Sequence, residues 1–171
     1  METVHISTFD TPMGKVTLAS TDKGVVANSL PGCAGGEVAK TVKRLIPDVE
    51  IVKSGVQNAR AISAVKAYLS GRRKDLDLPL DLRGTSFQKQ VWSQLRQVPY
   101  GQTISYAELA KRAGHPRAAR ACGTANGANP VPLFVPCHRT LATGGGLGGF
   151  GGGLPLKKKL LEFEATVAAR T

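Results

Sequence analysis

No stretch of this 171-residue chain is continuously apolar for long enough to cross a bilayer. Its first residues, Met1-Glu2-Thr3-Val4-His5, lack the basic and then apolar pattern of a secretory signal. Both absences predict a cytoplasmic protein with no membrane partner. Cysteine is scarce as well: Cys33, Cys122 and Cys137 form no CxxC pair and leave an odd count, which argues against a disulfide framework and suits free thiols. The three histidines, His5, His115 and His138, lack zinc-site spacing with those cysteines, so no metal is expected.

Acid is the other shortage. Residues 86 to 171 hold eleven Lys/Arg against three Asp/Glu, whereas residues 1 to 85 hold twelve against nine, within a net charge of +11. A basic surface attracts polyanions through counterion release and steering, which makes nucleic acid the first partner to consider, ahead of anionic lipid or simple solubility. With 42% apolar and 20% charged residues the chain has the composition of a folded protein, and its 20 glycines promise Gly-rich loops.

Along the first thirty residues, apolar positions alternate around Pro12-Met13-Gly14 and Asp22-Lys23-Gly24, which predicts a small antiparallel meander. Helical spacing follows over Glu37 to Ile46 and Ala59 to Leu69, closed by Pro47 and Gly71. From Arg72 to Gly84 the chain turns polar and charged around Pro79, as an extended linker would. These features predict an α+β protein: a supporting domain over 1–80 with an antiparallel sheet and helices, then a mainly helical domain over 81–171.

In the second domain a helix is expected from Ser86, as N-cap, to before Pro99. Ser105-Tyr106-Ala107-Glu108 fits a capping box, and Gly114 ends the helix it opens. A second helix over Arg117 to Ala125 is built of Ala118, Ala119, Ala121, Gly123 and Ala125, with Arg117 and Arg120 as its long side chains. The pair reads as a helix-turn-helix on DNA or as an ordinary αα-hairpin; the surrounding basic charge favours the former.

Asn129-Pro130-Val131-Pro132-Leu133-Phe134-Val135-Pro136-Cys137-His138-Arg139 is an apolar, strand-like run that delivers Cys and His together. Buried Cys is ordinarily a small hydrophobe, the simplest reading of Cys33 and Cys122. Cys137 differs because His138 and Arg139 can lower its pKa, and thiolate is the nucleophilic form. Neighbouring side chains on an extended chain point apart, so His138 would take the proton through a water. A base needs an orienting acid; Glu108 is accounted for by the capping box, leaving Glu162 or Glu164 on the last helix, or a solvated face for both. Residues 144 to 153 carry eight glycines in ten positions, read as a flexible linker or as a loop walling a pocket. The Gly-Lys-[Ser/Thr] ending of a P-loop is absent.

The stretch from Phe87 to Glu164 resembles the O6-alkylguanine-DNA alkyltransferases. The resemblance rests on Pro99-Tyr100-Gly101, Ser105-Tyr106, Ala118-Ala119-Arg120-Ala121, Asn126-Gly127, Asn129-Pro130, Pro136-Cys137-His138-Arg139, Gly151-Gly152 and Leu160-Leu161-Glu162-Phe163-Glu164. The first domain agrees with that family in length and general pattern. The resemblance implies a suicide reaction without cofactor, in which a methyl or other alkyl group moves irreversibly from O6 of guanine in double-stranded DNA to Cys137 of a monomer. O4-alkylthymine is a secondary candidate substrate.

It further implies that His138 is the base, Glu164 its partner, Asn129 a brace for the active-site turn and Tyr106 a proton donor toward N3 of guanine. Arg120 would fill the stack after base flipping, with Gln88, Tyr106, Arg117, Ala119 and Ala121 on the minor-groove side. Thr140, Gly151, Phe150 and Val135 would line the pocket, Thr140 through its backbone carbonyl and Gly151 through its amide. Thr140 stands where the family usually has valine and Phe150 where it usually has tyrosine. A damage-sensing module without chemistry would lack Cys137, and a cysteine hydrolase would turn over and need no basic hairpin.

Overall fold

The computed structural model describes residues 1–170, which divide into two compact units, Met1–Arg83 and a second beginning at Gly84. The fold class is mixed α and β. In the first unit, β1 (Glu2–Thr11), β2 (Gly14–Thr21) and β3 (Gly24–Asn28) form the antiparallel meander, and β4 (Val49–Lys53) pairs parallel with β1, giving the sheet order β3-β2-β1-β4. The fourth strand was not foreseen, because five residues carry too little period-two signal between two helices.

Helix α1 (Gly36–Leu45) buries Val38 and Val42, one turn apart, against Val4, Ala19, Val26 and Ala27. Helix α2 (Ala59–Leu69) buries Ala64, Val65, Tyr68 and Leu69. The polar stretch expected to be a linker is in part docked: Val25 N–H donates to Pro79 O at 3.1 Å and Asp81 N–H to Val25 O at 2.8 Å. Arg83 forks onto Glu2 at 2.9 and 2.7 Å and also reaches Asp81. Unpaired β3 edge groups make this docking favourable, and composition alone does not report them.

In the second unit, α3 (Ser86–Leu95) is capped by Thr85 rather than by Ser86. Thr85 accepts from the Gln88 N–H, and the Gln88 side chain accepts from the Thr85 N–H, a complete capping box. Val91, Trp92 and Leu95 face inward, and the Trp92 indole donates to Ala125 O at 2.9 Å. The two-residue β5 (Ile104–Ser105) pairs parallel with β6 (Thr140–Leu141). Ser105 caps α4 (Tyr106–Arg112), but only half of the expected box forms, because Glu108 accepts from Arg112 at 3.1 Å. Helix α5 (Ala119–Gly127) starts two residues later than composition suggests, after a turn through Pro116 and Arg117. It buries Cys122, Ala125 and Asn126.

The run before Cys137 is a turn instead of a strand. Leu133 has φ +76°, Pro132 and Val135 form an isolated bridge, and Cys137–Arg139 make one 3-10 turn. Three prolines, at 130, 132 and 136, leave too few amide donors for a ladder in any case. Helix α6 (Leu154–Ala168) follows the glycine-rich loop. No helix among the described residues is long and apolar enough to cross a membrane.

Candidate active site

The 3-10 turn decides the geometry. Three residues per turn send consecutive side chains about 120° apart, so Cys137, His138 and Arg139 leave the backbone in different directions although all three are buried. His138 Nε2 lies 2.5 Å from Glu164 Oε2. Arg139 reaches the same carboxylate from Nε at 2.8 Å and from Nη2 at 3.2 Å, and its Nη1 donates to Val98 O at 2.8 Å. Gly101, at φ +79°, brings its amide to 3.4 Å from Glu164 Oε1. A Cβ there would sit 2.8 Å from the Ala168 side chain.

Burial by itself would raise the Glu164 carboxyl pKa, but the hydrogen bond and charge of His138, then those of Arg139, hold it at about 2. An ionised Glu164 has no proton to give, so His138 Nε2 is the donor and Nδ1 is free to act as a base when the ring is neutral. That Nδ1 is buried without a hydrogen-bond partner among the described residues. Glu162, the alternative acid, is exposed and lies 3.9 Å from Lys158.

Asn129 spans the turn. Its Nδ2 donates to Val135 O at 2.8 Å, its Oδ1 accepts from Val131 N–H at 2.9 Å, and it also hydrogen-bonds the Cys137 thiol. The thiol is only 6% exposed. Burial raises its pKa, and the Asn129 hydrogen bond and the Lys157 charge offset part of that rise. The expectation that Arg139 lowers it is corrected: Arg139 is held on Glu164 and Val98 and over the Tyr100 ring at 5.5 Å, and His138 contributes through its backbone amide.

Val135 and Thr140 are fully buried beside these groups. The Thr140 hydroxyl donates to Asn126 Oδ1 at 3.3 Å, and the Thr140 carbonyl accepts from Lys157 Nζ at 2.5 Å, which leaves that oxygen one lone pair. Tyr106 hydrogen-bonds Asn126; burial, and then negative charge on Cys137, push its phenol pKa up, so it keeps its proton. Gly151 is exposed and Phe150 half-buried in the glycine-rich loop. Arg117, Arg120 and Ala121 are exposed and Ala119 half-buried, while Gln88 is engaged in its capping box. A groove of about 590 Å³ between α3 and the end of α4 includes none of the residues around Cys137.

Sequence reasoning missed Lys157, whose side chain has no exposure. It was given no role. The signal was present: Lys157, Leu160, Glu164 and Val167 fall on one helical stripe, so an inward Glu164 implies an inward Lys157 two turns earlier. Asn126, quoted only as part of a motif, joins the site through Thr140 and Tyr106.

A methylated-DNA-protein-cysteine methyltransferase of Mycobacterium bovis is 41% identical over 165 residues, 96% of this chain and 94% of the relative. The chain belongs to this family. The family profile described as 6-O-methylguanine DNA methyltransferase, DNA binding domain, matches residues 86–166. A family member from Methanosarcina acetivorans is 36% identical over 95% of this chain and 99% of its own. The crystal structure of Mycobacterium tuberculosis OGT in complex with DNA superposes with a TM-score of 0.80 at 36% identity, covering 95% of this chain and 94% of that one. Similarity therefore reaches through the first unit, where sequence reading found only a general pattern.

Proposed function

We propose that this protein repairs alkylated DNA by transferring the alkyl group from O6 of guanine in a duplex to Sγ of Cys137, once per molecule. The observation that carries the reading is the ionised Glu164 fixed by Arg139 and bonded to His138 Nε2, one residue from a buried thiol. It supports a base whose free Nδ1 takes the thiol proton through one water. The thiolate attacks the alkyl carbon, the S–C bond forms as C–O6 breaks, and the electron pair passes into the purine. Tyr106 donates its proton to N3, the imidazolium proton restores the phenol, and guanine leaves neutral. The product is a thioether, a poor leaving group, so the protein is consumed.

Reaction at a duplex base requires the nucleotide to leave the stack. The turn and helix α5, with Ala119 and Ala121 beside Arg117 and Arg120, form a small-residue basic surface suited to a minor groove, and Arg120 fills the stack. Thr140 O accepts from the guanine amine on its remaining lone pair, with Val135, Phe150 and Gly151 around the base. Incubation with one equivalent of duplex containing O6-methylguanine, followed by peptide mass spectrometry, tests the reading. A methyl group on Cys137, and none in Cys137→Ala, supports it; with excess duplex, turnover beyond one equivalent sinks it. An O4-methylthymine duplex in the same assay reports whether that base is accepted.

A further inference from the structure

The two ends of an amide side chain differ, and the end that faces a hydroxyl decides whether that hydroxyl keeps its own hydrogen for another acceptor. Asn126 sits on α5 at 4% exposure, where neither end is open to bulk water. The Cys137 carbonyl lies 3.4 Å from Nδ2, and a carbonyl only accepts, so the NH2 end faces the acceptor turn. Oδ1 then faces Thr140, itself fully buried, whose hydroxyl donates to it at 3.3 Å. A buried amide oxygen deprived of that donor is costly, and a flipped amide would set Oδ1 against the Cys137 carbonyl.

Nδ2 has a second hydrogen, and the Tyr106 oxygen takes it. The bond between the two favours the ionised phenol, which is the effect of a donor on that oxygen. Helix α5 keeps the ring within reach: a Cβ at Gly123, three residues before Asn126, would lie 3.7 Å from two carbons of the Tyr106 ring. An oxygen that accepts from Asn126 has its own hydrogen free. When that hydrogen passes to N3 of guanine as the C–O6 bond breaks, the phenolate left behind keeps the Nδ2 bond until the imidazolium proton restores it. Hydrogen bonds to an ionised group are the stronger class, so Asn126 assists the transfer more than the resting state.

We infer that Asn126 is a positioning residue for the proton donor: its Nδ2 bonds the Tyr106 oxygen, which leaves the phenol hydrogen for N3 of guanine, and the Thr140 hydroxyl holds the amide in that orientation. The inference rests on the alkyl-transfer reading. Asn126 acts through Tyr106, and Thr140 acts through Asn126. The Thr140 side chain thereby has a use separate from its backbone carbonyl.

The test is a cycle of protein and substrate changes. Asn126→Leu keeps the approximate shape and removes both donors, and Thr140→Val removes only the hydroxyl. Single-turnover rates are measured on duplexes containing O6-methylguanine or O6-methyl-3-deazaguanine, which has carbon in place of N3 and takes no proton there. Losing one hydrogen bond to a group that becomes charged corresponds to about tenfold or more. Asn126→Leu should slow the O6-methylguanine duplex by that factor and the 3-deaza duplex by no more than about twofold, the margin of independent effects. Thr140→Val should show the same pattern with a smaller loss. In a Tyr106→Phe background the Asn126 change should leave the ratio of the two rates unaltered. An equal loss on both duplexes would make Asn126 a structural residue and overturn the inference, as would wild-type rates on both or a further change of ratio without the phenol. If Asn126→Leu does not fold, Thr140→Val decides: a selective loss on the O6-methylguanine duplex supports the inference, and an unchanged ratio refutes it. Failure of the alkyl-transfer reading is distinguishable, since it leaves Cys137 of the unaltered protein unalkylated by the O6-methylguanine duplex.

Discussion

Replacing Glu164 by Gln changes one atom of the side chain and separates the electrostatic part of the site from its shape. In the folded protein the carboxyl pKa lies at about 2, against an ordinary value of 4.5. Each unit corresponds to 1.36 kcal/mol, so the folded state favours the carboxylate by about 3 kcal/mol at neutral pH. Gln can still accept from His138, but it leaves the Arg139 guanidinium buried at 8% exposure without a counter-charge, a situation that costs about 3–5 kcal/mol in comparable pairs. The two figures overlap, because the Arg139 pair contributes to the first after the hydrogen bond and charge of His138. For a carboxyl whose folded pKa is depressed, the stabilisation is fully present above about pH 4.5 and is lost as pH falls toward 2. Urea unfolding of both proteins should therefore show Glu164→Gln about 3 kcal/mol less stable at pH 7. The gap should narrow through pH 4 and 3 because the wild type loses stability there and the variant does not. A stability difference that stays constant from pH 7 to pH 3 would refute the reasoning, since it would mean that the loss is one of packing rather than of charge. Alkyl transfer at pH 7 should fall as well, because Gln does not stabilise the imidazolium that forms when His138 takes the thiol proton.

Arg120→Ala should weaken repair of duplex DNA far more than reaction with free benzylated guanine, which needs no stack to be refilled; equal losses would remove Arg120 from that role. Asn129→Ala deletes the bonds to Val131, Val135 and the thiol. It should cost about 2 kcal/mol and, because its hydrogen bond lowers the thiol pKa, move the pH-rate profile of transfer to higher pH. A profile unmoved in Asn129→Ala would show that the turn, and not the thiol, is what Asn129 serves.

How much of this was legible in the sequence differs by element. The meander, α1 and α2 follow from period and punctuation, because each presents one apolar face to a core and ends at Pro or Gly. The strand β4 and the docked segment around Pro79 were not legible, since both exist to satisfy backbone groups of a neighbour and carry little pattern of their own. In the site, Cys137 and His138 were readable from residue type, whereas acid scarcity narrowed the partner only to Glu162 or Glu164, and the family resemblance chose Glu164. The turn before Cys137 was misread as extended because Val131, Leu133 and Val135 alternate, whereas the prolines among them remove ladder donors. Arg139 was assigned to the thiol because it lies nearby in sequence, but the 3-10 turn carries it to Glu164 instead.

That displacement of Arg139 bears on how the thiol works. A guanidinium beside Cys137 would stabilise thiolate permanently and expose a reactive sulfur to any electrophile. Here the cation neutralises the acid, the acid fixes the tautomer of the imidazole, and burial leaves the sulfur with a raised pKa. The reactive form is then generated only by proton transfer to a base already oriented for it. Of the three acids in residues 86 to 171, two hold surface cations on their own helices, Glu108 with Arg112 and Glu162 with Lys158, and only Glu164 is buried. In so basic a half-chain, that one carboxylate is what allows an arginine and a histidine to be buried side by side behind a cysteine.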